Sequence, residues 1–271
     1  MSKDQYDGNH SFFALFKTNG FGGSWVNEPC HQERVQEYKS FFNRLSEVDL
    51  KHLGFHVFDD FCTHEESTQL QQCIERDLVL SPAFSEMHQD KERRGMRCNL
   101  GFLYSKEKGK RYQADFSSNV SIPKEIQMLG NKILDFLNLH QATILPYTKT
   151  KKIPETWNQV YIQTYEGKDG LAPHYDNREN TEEIIVGISL SGTSEFYLST
   201  DPGSMKASSL KPTAKRRRII LKRNQMYIMS GVSRFILRHA VKHSQEDQKR
   251  TSITFRCLRI KNAAKKVKAI R

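Results

Sequence analysis

Two metal-binding side chains separated by a single residue, His174 and Asp176, constrain this chain more than any other feature. On a strand, residues i and i+2 point to the same face of the sheet, so both side chains can reach one ion while Tyr175 points away. A second histidine, His239, must then lie on a strand that folds back alongside. Two imidazoles and one carboxylate can hold one face of an Fe(II) ion and leave its other positions open. The pattern therefore predicts a metal site built on neighbouring strands.

The distal ligand has two candidates, because His239 and His243 lie close together in the sequence. A His-x-Asp pair also arises by chance in a chain with ten histidines, and a lone histidine is commonly a core or surface residue. His239 follows an apolar run, whereas His243 is flanked by the polar residues Lys242 and Ser244. We therefore expect His239 to be the ligand.

Hydrophobic periodicity separates a helical first part of the chain from a strand-rich second part. Thr63-x-x-Glu66 has the form of a helix capping box, and Pro123 suits the first turn of another helix. Apolar residues at helical spacing predict that this second helix buries a face made of Ile126, Leu129, Ile133 and Leu137, and that a packing helix covers residues 31–50. After residue 155, short apolar or alternating runs predict strands, among them 226–230 and 235–239, broken at Gly231, and 252–256.

Further segments surround the metal-binding set in a specific order. They are Gly54–Phe61, Arg94–Arg97 with Gly101–Tyr104, Gln163–Tyr165, Glu183–Gly192 and Ser230–Arg234. With these segments, residues 50–260 resemble the AlkB family of iron(II)- and 2-oxoglutarate-dependent dioxygenases, and most of all the AlkB-type domain of its tRNA-modifying homologues. The resemblance implies an α+β fold with a double-stranded β-helix, or jelly-roll, core flanked by N-terminal helices. Residues 1–49 would form an N-terminal extension and residues 261–271 a basic C-terminal tail.

The resemblance also implies roles for individual residues. Fe(II) would be held by His174, Asp176 and His239. The cosubstrate 2-oxoglutarate would be contacted by Tyr165, Arg250, Ser252, Arg256 and Gln163, with Arg250 and Tyr165 at its distal carboxylate and Arg256 near the metal-side carboxylate and Asp176. Gln163 replaces the asparagine that is usual in the family but keeps an amide. From the residues alone, Tyr165 is equally compatible with a packed strand tyrosine, and Arg256 with a purely structural ion pair.

The net charge of +11 points to an anionic partner. Basic residues concentrate in segments 91–111 and 206–223 and in the tail. The first segment contains Tyr104 and Tyr112, whose rings could stack on a flipped or single-stranded base, so we take Arg94, Arg97, Tyr104 and Tyr112 as candidate substrate contacts. A solvated loop or, for the tail, a nuclear-import signal is the alternative for each cluster.

These features together predict an oxidoreductase that uses Fe(II), 2-oxoglutarate and O2 to oxidise N-methyl groups or modified bases of nucleic acid, in DNA repair or tRNA modification. RNA is slightly favoured over DNA. Two alternatives remain at this point: the same chemistry on a protein side chain, by hydroxylation or demethylation, and a non-catalytic RNA-binding module that keeps the fold.

Composition bounds the setting in which such an enzyme would work. No run of eighteen apolar residues and no signal-peptide core occur, so we expect no membrane association. The cysteines are odd in number, at five, and show no Cys-x-x-Cys pair, which argues against a disulfide framework or a zinc site. A reducing compartment suits such a protein, and we expect a monomer in the cytoplasm, the nucleus or both.

Overall fold

A computed structural model describes residues 47–78, 84–86, 93–105, 113–148, 150–167, 169–178, 180–199, 216–244 and 249–259. Within these ranges the chain forms two antiparallel sheets with helices against one of them. The strands are β1 (Phe55–Phe58), β2 (Phe84–Glu86), β3 (Arg93–Arg94), β4 (Met96–Ser105), β5 (Gln113–Val120), β6 (Gln159–Glu166), β7 (Gly170–His174), β8 (Ile185–Ser191), β9 (Ser194–Ser199), β10 (Arg216–Leu221), β11 (Met226–Met229), β12 (Arg238–His243) and β13 (Lys249–Arg256). The helices are α1 (His64–Cys73), α2 (Lys124–Leu139), α3 (Gln141–Ile144) and α4 (Gly231–Phe235).

The larger sheet has the order β1-β11-β8-β13-β6-β4-β2, with β5 added beside β4, and the smaller sheet has the order β10-β9-β12-β7-β3. An apolar layer lies between the sheets, where Phe55 and Ile185 of the larger sheet pack with Phe196 and Leu198 of the smaller one. The chain crosses from the smaller sheet to the larger one at Gly95, which has a φ of +124° that favours glycine. This arrangement is the expected α+β jelly-roll.

Helices α1, α2 and α3 cover the outer face of the larger sheet. Both parts of the predicted capping box are present at Thr63 and Glu66, and the predicted apolar face of α2 is fully or almost fully buried. Gly130 lets α2 approach the sheet closely, because a Cβ there would lie 3.1 Å from Trp157 and 3.2 Å from Phe255. The Trp157 indole also donates a hydrogen bond to the Gly130 carbonyl, at 3.0 Å. The sheet is therefore buried on this side and presents its other face to the smaller sheet.

One strand expectation is wrong. Strand β11 ends at Met229, and the short helix α4 includes Phe235, the first residue of the predicted strand 235–239, so that β12 begins only at Arg238. Gly231, at a φ of +51°, turns the chain, and the Ser233 hydroxyl closes the turn on the Ser230 carbonyl at 2.8 Å. The apolar residues Val232 and Phe235 are buried between the sheets in a helical turn, which an apolar run alone does not distinguish from a strand.

Two other expectations concern the ends of the fold and the cysteines. Of the proposed packing helix over 31–50, only the last residues are described, and they belong to a 3-10 helix, Glu47–Leu53. The apolar residues of the proposed helix, Val35, Tyr38, Phe42 and Leu45, lie outside the described residues.

Four cysteines, Cys62, Cys73, Cys98 and Cys257, carry free thiols. In the described part of the chain, no helix combines the length and the apolar character needed to cross a membrane.

Candidate metal centre and cosubstrate site

The smaller sheet brings His174, Asp176 and His239 to one point, which we call the metal cluster. His174 ends β7 and pairs directly with His239 of β12, and Asp176 follows just beyond the end of β7. The candidate ligand atoms of the three side chains all lie within 4.8 Å of one another. His239 Nε2 is 3.5 Å from Asp176 Oδ2, and the two imidazole centres are 4.2 Å apart. The sequence pattern placed Asp176 on the same strand as His174, but the strand ends before it. The two side chains nevertheless reach the same point.

Both imidazoles are held in a form that can bind a metal. Nδ1 of His174 lies 2.8 Å from the Ala172 carbonyl, which assigns the proton to Nδ1 and leaves the lone pair on Nε2. His239 is buried, and its ring lies parallel to Phe196 at 5.7 Å. Burial, followed by the nearby His174, lowers the pKa of His239 well below its usual value. At neutral pH this imidazole is uncharged, as metal binding requires.

The carboxylate of the metal cluster is kept ionised by two arginines. Burial opposes the charge on Asp176, but the guanidinium of Arg256, with that of Arg234 beyond it, holds the pKa of Asp176 well below its usual range. Arg256 Nη1 lies 2.7 Å from Asp176 Oδ1. Arg234 donates hydrogen bonds to the backbone carbonyls of Asp176 and Asn177, at 3.1 and 2.7 Å. Oδ1 is thus occupied by Arg256, while Oδ2 faces His239.

A second polar site lies on the larger sheet, where Arg250 of β13 pairs directly with Tyr165 of β6. We call these two residues the Arg250 site. Arg250 is 2% exposed and Tyr165 1% exposed, so each polar group needs a partner inside the protein. Arg250 Nη1 donates to the Ser252 hydroxyl at 3.2 Å, and the guanidinium lies 5.5 Å from the centre of the Tyr165 ring. Arg250 Nε and the Tyr165 hydroxyl have no hydrogen-bond partner among the described residues.

No carboxylate of the described residues pairs with Arg250, although its charge is deeply buried. Burial lowers the pKa of Arg250, but a guanidinium remains protonated at neutral pH. Burial also raises the pKa of Tyr165, so its hydroxyl keeps the proton and can donate it in a hydrogen bond. A planar cation and a neutral hydroxyl, both unsatisfied, match the two oxygens of a carboxylate. The Arg250 site therefore fits the distal carboxylate of a dicarboxylate cosubstrate.

The metal cluster likewise fits Fe(II). Two neutral imidazoles and one carboxylate supply the donor atoms of a 2-His-1-carboxylate site. Of the other expected cosubstrate contacts, Gln163 of β6 pairs directly with Ser252 of β13, in the same two strands that carry the Arg250 site. Residues at alternate positions of β13 share one face, which places Arg250, Ser252 and Arg256 on the side towards the smaller sheet. The structure thus brings all eight predicted metal and cosubstrate residues to the facing sides of the two sheets.

The candidate substrate contacts separate into described and undescribed residues. Arg97 pairs with Gln163 across β4 and β6, and its guanidinium lies 5.2 Å from the centre of the Tyr161 ring. Arg94 is on β3 of the other sheet, opposite Gly170, and Tyr104 is on β4, opposite Ala114, but their side chains lie outside the described part. Tyr112 lies outside the described residues altogether.

Three site residues were missed by the sequence pattern. The Tyr161 ring lies between Arg97, at 5.2 Å, and Arg256, at 4.1 Å, and so joins the candidate substrate side to the metal cluster. Arg234 lies in the segment Ser230–Arg234, which supports the family resemblance but to whose residues the sequence assigned no function. Tyr227 interacts electrostatically with Arg250, and its ring occupies the space that the absent side chain of Gly187 leaves on the next strand. Only the arginine had a sequence signal; the two tyrosines depend on strand register.

Comparison with known proteins agrees with this geometry. Residues 54–260 match the 2OG-Fe(II) oxygenase superfamily. The chain is 26% identical over 215 residues to an uncharacterized protein, L905, of Acanthamoeba polyphaga mimivirus, an alignment that covers 75% of this chain and 84% of the viral protein.

Two solved structures share the fold. OsALKBH1 is similar with a TM-score of 0.52 and 17% identity, over 75% of this chain and 98% of that chain. A prolyl hydroxylase from Trichoplax adhaerens, in complex with a peptide fragment of the hypoxia inducible factor oxygen degradation domain, is similar with a TM-score of 0.51 and 15% identity, over 94% of this chain and 98% of that chain. The match along the sequence spans both the metal cluster and the Arg250 site, and from it we conclude that this chain belongs to the 2OG-Fe(II) oxygenase superfamily, whose enzymes use Fe(II), 2-oxoglutarate and O2.

Proposed function

We propose that this oxygenase is an AlkB-type enzyme that oxidises N-methyl groups or modified bases of a nucleic acid, with RNA favoured over DNA. The observation that carries the choice of substrate is charge: the chain has 42 lysines and arginines against 31 acidic residues. A polyanion is the partner that such an excess attracts, through release of the counterions along its phosphates. The segments that resemble the AlkB family support the same choice.

In this proposal the metal cluster holds Fe(II) and the Arg250 site holds the distal carboxylate of 2-oxoglutarate. The bound iron, cosubstrate and O2 together supply the oxidation of a substrate C–H bond. The residues of the chain supply geometry and charge. Arg256 keeps Asp176 ionised, the Ala172 carbonyl keeps the proton of His174 on Nδ1, and Arg250 fixes the orientation of the dicarboxylate. Gln163 and Ser252 lie on the same strands and complete the cosubstrate contacts.

The kind of carbon oxidised determines the product. A hydroxylated methyl group on nitrogen is unstable and breaks down to formaldehyde and the demethylated nitrogen. A hydroxyl placed on an ordinary carbon remains. Arg97 and Tyr161 line the side of the larger sheet next to Arg256 and are positioned to meet the substrate before it reaches the metal cluster.

The same proposal includes the organisation of the chain. Residues 50–260 would form one catalytic domain, with residues 1–49 as an extension and residues 261–271 as a basic tail that adds to the attraction for phosphates. We further propose a monomer that works in the cytoplasm, the nucleus or both.

Mass spectrometry of nucleosides tests the substrate directly. The protein is loaded with Fe(II) anaerobically and then incubated with 2-oxoglutarate, O2 and methylated tRNA, mRNA or DNA in separate reactions. The proposal predicts loss of one methylated nucleoside, with matching formaldehyde or a hydroxylated product, in the RNA reactions first. Asp176→Asn protein is the matched control and should leave every nucleoside unchanged.

Two outcomes would contradict the proposal. If methylated or proline-containing peptides, and not nucleic acids, stimulate succinate formation, the enzyme acts on protein side chains. If the protein binds RNA but neither binds Fe(II) nor forms succinate, the fold serves as a binding module.

A further inference from the structure

We propose that the outer face of the smaller sheet carries a phosphate-binding site made of Arg178 and Arg238 around the ring of Tyr175, and that it holds the backbone of a single-stranded nucleic acid. This site rests on the proposed nucleic-acid substrate but is separate from the metal cluster and from the candidate contacts on β4. It would fix the strand beside the nucleotide that enters the oxygenase site.

The position of the site follows from the alternation of side chains along the metal-binding strands. Arg238 precedes His239 on β12 and faces the opposite side of the sheet. Tyr175 follows directly after the end of β7, and its ring lies beside Arg238 on that side. The guanidinium of Arg178 lies 3.6 Å from the centre of the Tyr175 ring, and that of Arg238 lies 5.2 Å from it. The same short stretches of chain thus direct metal ligands inwards and two arginines outwards.

Tyr175 is a fixed platform for these cations. Its hydroxyl donates a hydrogen bond to the Ile236 carbonyl at 3.3 Å, and it also hydrogen-bonds the Arg178 side chain. A ring face attracts guanidinium groups and orients them without neutralising their charge. The positive charge of both arginines therefore remains available for an anion.

The two cations lack the partners that arginines normally have. Among the described residues neither Arg178 nor Arg238 forms an ion pair, and Nε of each is buried without a hydrogen-bond partner. Both guanidinium groups lie against the same Tyr175 ring, so the two like charges are close enough to repel each other. An anion bridging them would relieve this repulsion and satisfy the forks in the bidentate manner that phosphate allows.

On the same face of the smaller sheet, a neighbouring row of basic side chains is neutralised by a carboxylate. Arg218 of β10 and Lys242 of β12 both form ion pairs with Glu195 of β9. In the uncompensated row, Arg216 and Arg238 both pair with Ser199, so they lie on one face two strands apart, about 10 Å from each other. The row runs from Arg216 through Arg238 to Arg178.

The uncompensated row also reaches the more open side of the metal cluster. His174 is half-buried, whereas Asp176 and His239 are buried. The approach to the cluster is therefore from the side of β7, where Tyr175 and Arg178 lie. An enzyme that takes one base out of its stack needs to hold the flanking backbone, and phosphate contacts do this without regard to sequence.

Salt-dependent binding separates this site from a general effect of charge. We would measure anisotropy of a fluorescein-labelled single-stranded RNA of about 20 nucleotides against the full-length, iron-loaded protein at several KCl concentrations. Arg178→Gln/Arg238→Gln removes the two charges of the proposed site, and Arg218→Gln/Lys242→Gln removes two compensated charges from the same face. Thermal melting and Fe(II) binding check that each variant is folded, and the single Arg238→Gln variant serves if the double variant is not.

The site predicts a specific loss in the first double variant. Two phosphate contacts are worth a slope of about 1.4 in log Kd against log salt, at about 0.7 each for a single strand, which is roughly 25-fold in affinity at 0.1 M salt. The control double variant should retain most of the wild-type affinity. Equal losses in both variants, or no loss in either, would overturn the site while leaving the nucleic-acid substrate in place.

Failure of the function itself would look different. Wild-type protein that binds neither the RNA nor a single-stranded DNA of equal length would overturn both the site and the proposed substrate. Equal binding of labelled poly-glutamate would reassign the two arginines to an acidic protein partner and would also overturn the site.

Discussion

The metal cluster and the Arg250 site are both buried between the same two sheets, but they differ in how their charges are compensated. Asp176 has Arg256 at 2.7 Å, and Arg234 on its backbone carbonyl. Arg250 is equally buried, and the described residues around it offer a serine hydroxyl and two tyrosines but no carboxylate partner. A buried charge is costly unless it is paired. Residues of the chain compensate the carboxylate of the first site, whereas no described carboxylate compensates the guanidinium of the second.

This difference indicates what each site contributes. At the metal cluster the protein alone maintains a negative carboxylate and two neutral imidazoles, and only a cation is missing. At the Arg250 site the protein maintains an unpaired cation, and the cosubstrate brings the missing charge. Removing the arginine of each site should therefore change the stability of the ligand-free protein in opposite directions.

The largest effect is expected at the metal cluster. Asp176→Asn keeps the shape of the side chain and an acceptor for Arg256 but removes the charged ligand. We expect affinity for Fe(II) to fall by more than about 100-fold, because even the loss of a residue that merely orients a ligand costs 10- to 100-fold. Anaerobic iron titration measures this loss, and Asp135→Asn, on the exposed side of α2, is the control. Wild-type succinate production by Asp176→Asn would contradict the assignment.

The next effect concerns the cosubstrate. Arg250→Lys keeps a positive charge but loses the planar fork, so one charge-assisted hydrogen bond to the carboxylate is lost. Such a bond contributes about 1.5–3 kcal/mol, which corresponds to an increase of roughly 10- to 100-fold in the Kd for 2-oxoglutarate. Isothermal titration in the presence of a redox-inert divalent metal would show it. An unchanged Kd would move the role to Arg256.

The stability of the ligand-free protein should distinguish the two sites by the sign of the change. Arg256→Met leaves Asp176 buried without its closest cation and should lower the free energy of unfolding by about 3 kcal/mol. Arg250→Met removes a buried cation that has no carboxylate partner and should raise it by about 1 kcal/mol. Urea unfolding without metal or cosubstrate measures both. Destabilisation of similar size in the two variants would mean that the sites are compensated alike.

A smaller effect is expected at Tyr165. Tyr165→Phe retains the buried ring and removes only the hydroxyl, which has no partner among the described residues. A hydrogen bond to a charged carboxylate contributes about 1.5 kcal/mol at the lower end of its range, so the Kd for 2-oxoglutarate should rise by about tenfold while the ligand-free protein is not destabilised. A loss of stability without any change in the Kd would identify Tyr165 as a packing residue.

Local spacing predicted part of the site and of the fold: the pair His174 and Asp176 needed only a two-residue period, and the face of α2 only a helical one. The jelly-roll core and the cosubstrate residues were implied by the resemblance to the AlkB family. Helix α4 was missed because Phe235 begins an apolar run that suits a strand equally well. The position of Tyr161 between Arg97 and Arg256 depends on the register of β4, β6 and β13, which no short segment of sequence encodes.

The choice between His239 and His243 tests the metal cluster most directly, because it fixes which position of β12 supplies the third ligand. The two residues lie on the same strand, about 13 Å apart along it, and both are buried. Anaerobic Fe(II) titration of His239→Ala and His243→Ala compares them under equal loss of a buried imidazole. We predict that iron binding is lost in His239→Ala and retained in His243→Ala. Retained binding in His239→Ala with loss in His243→Ala would contradict the structure of the site.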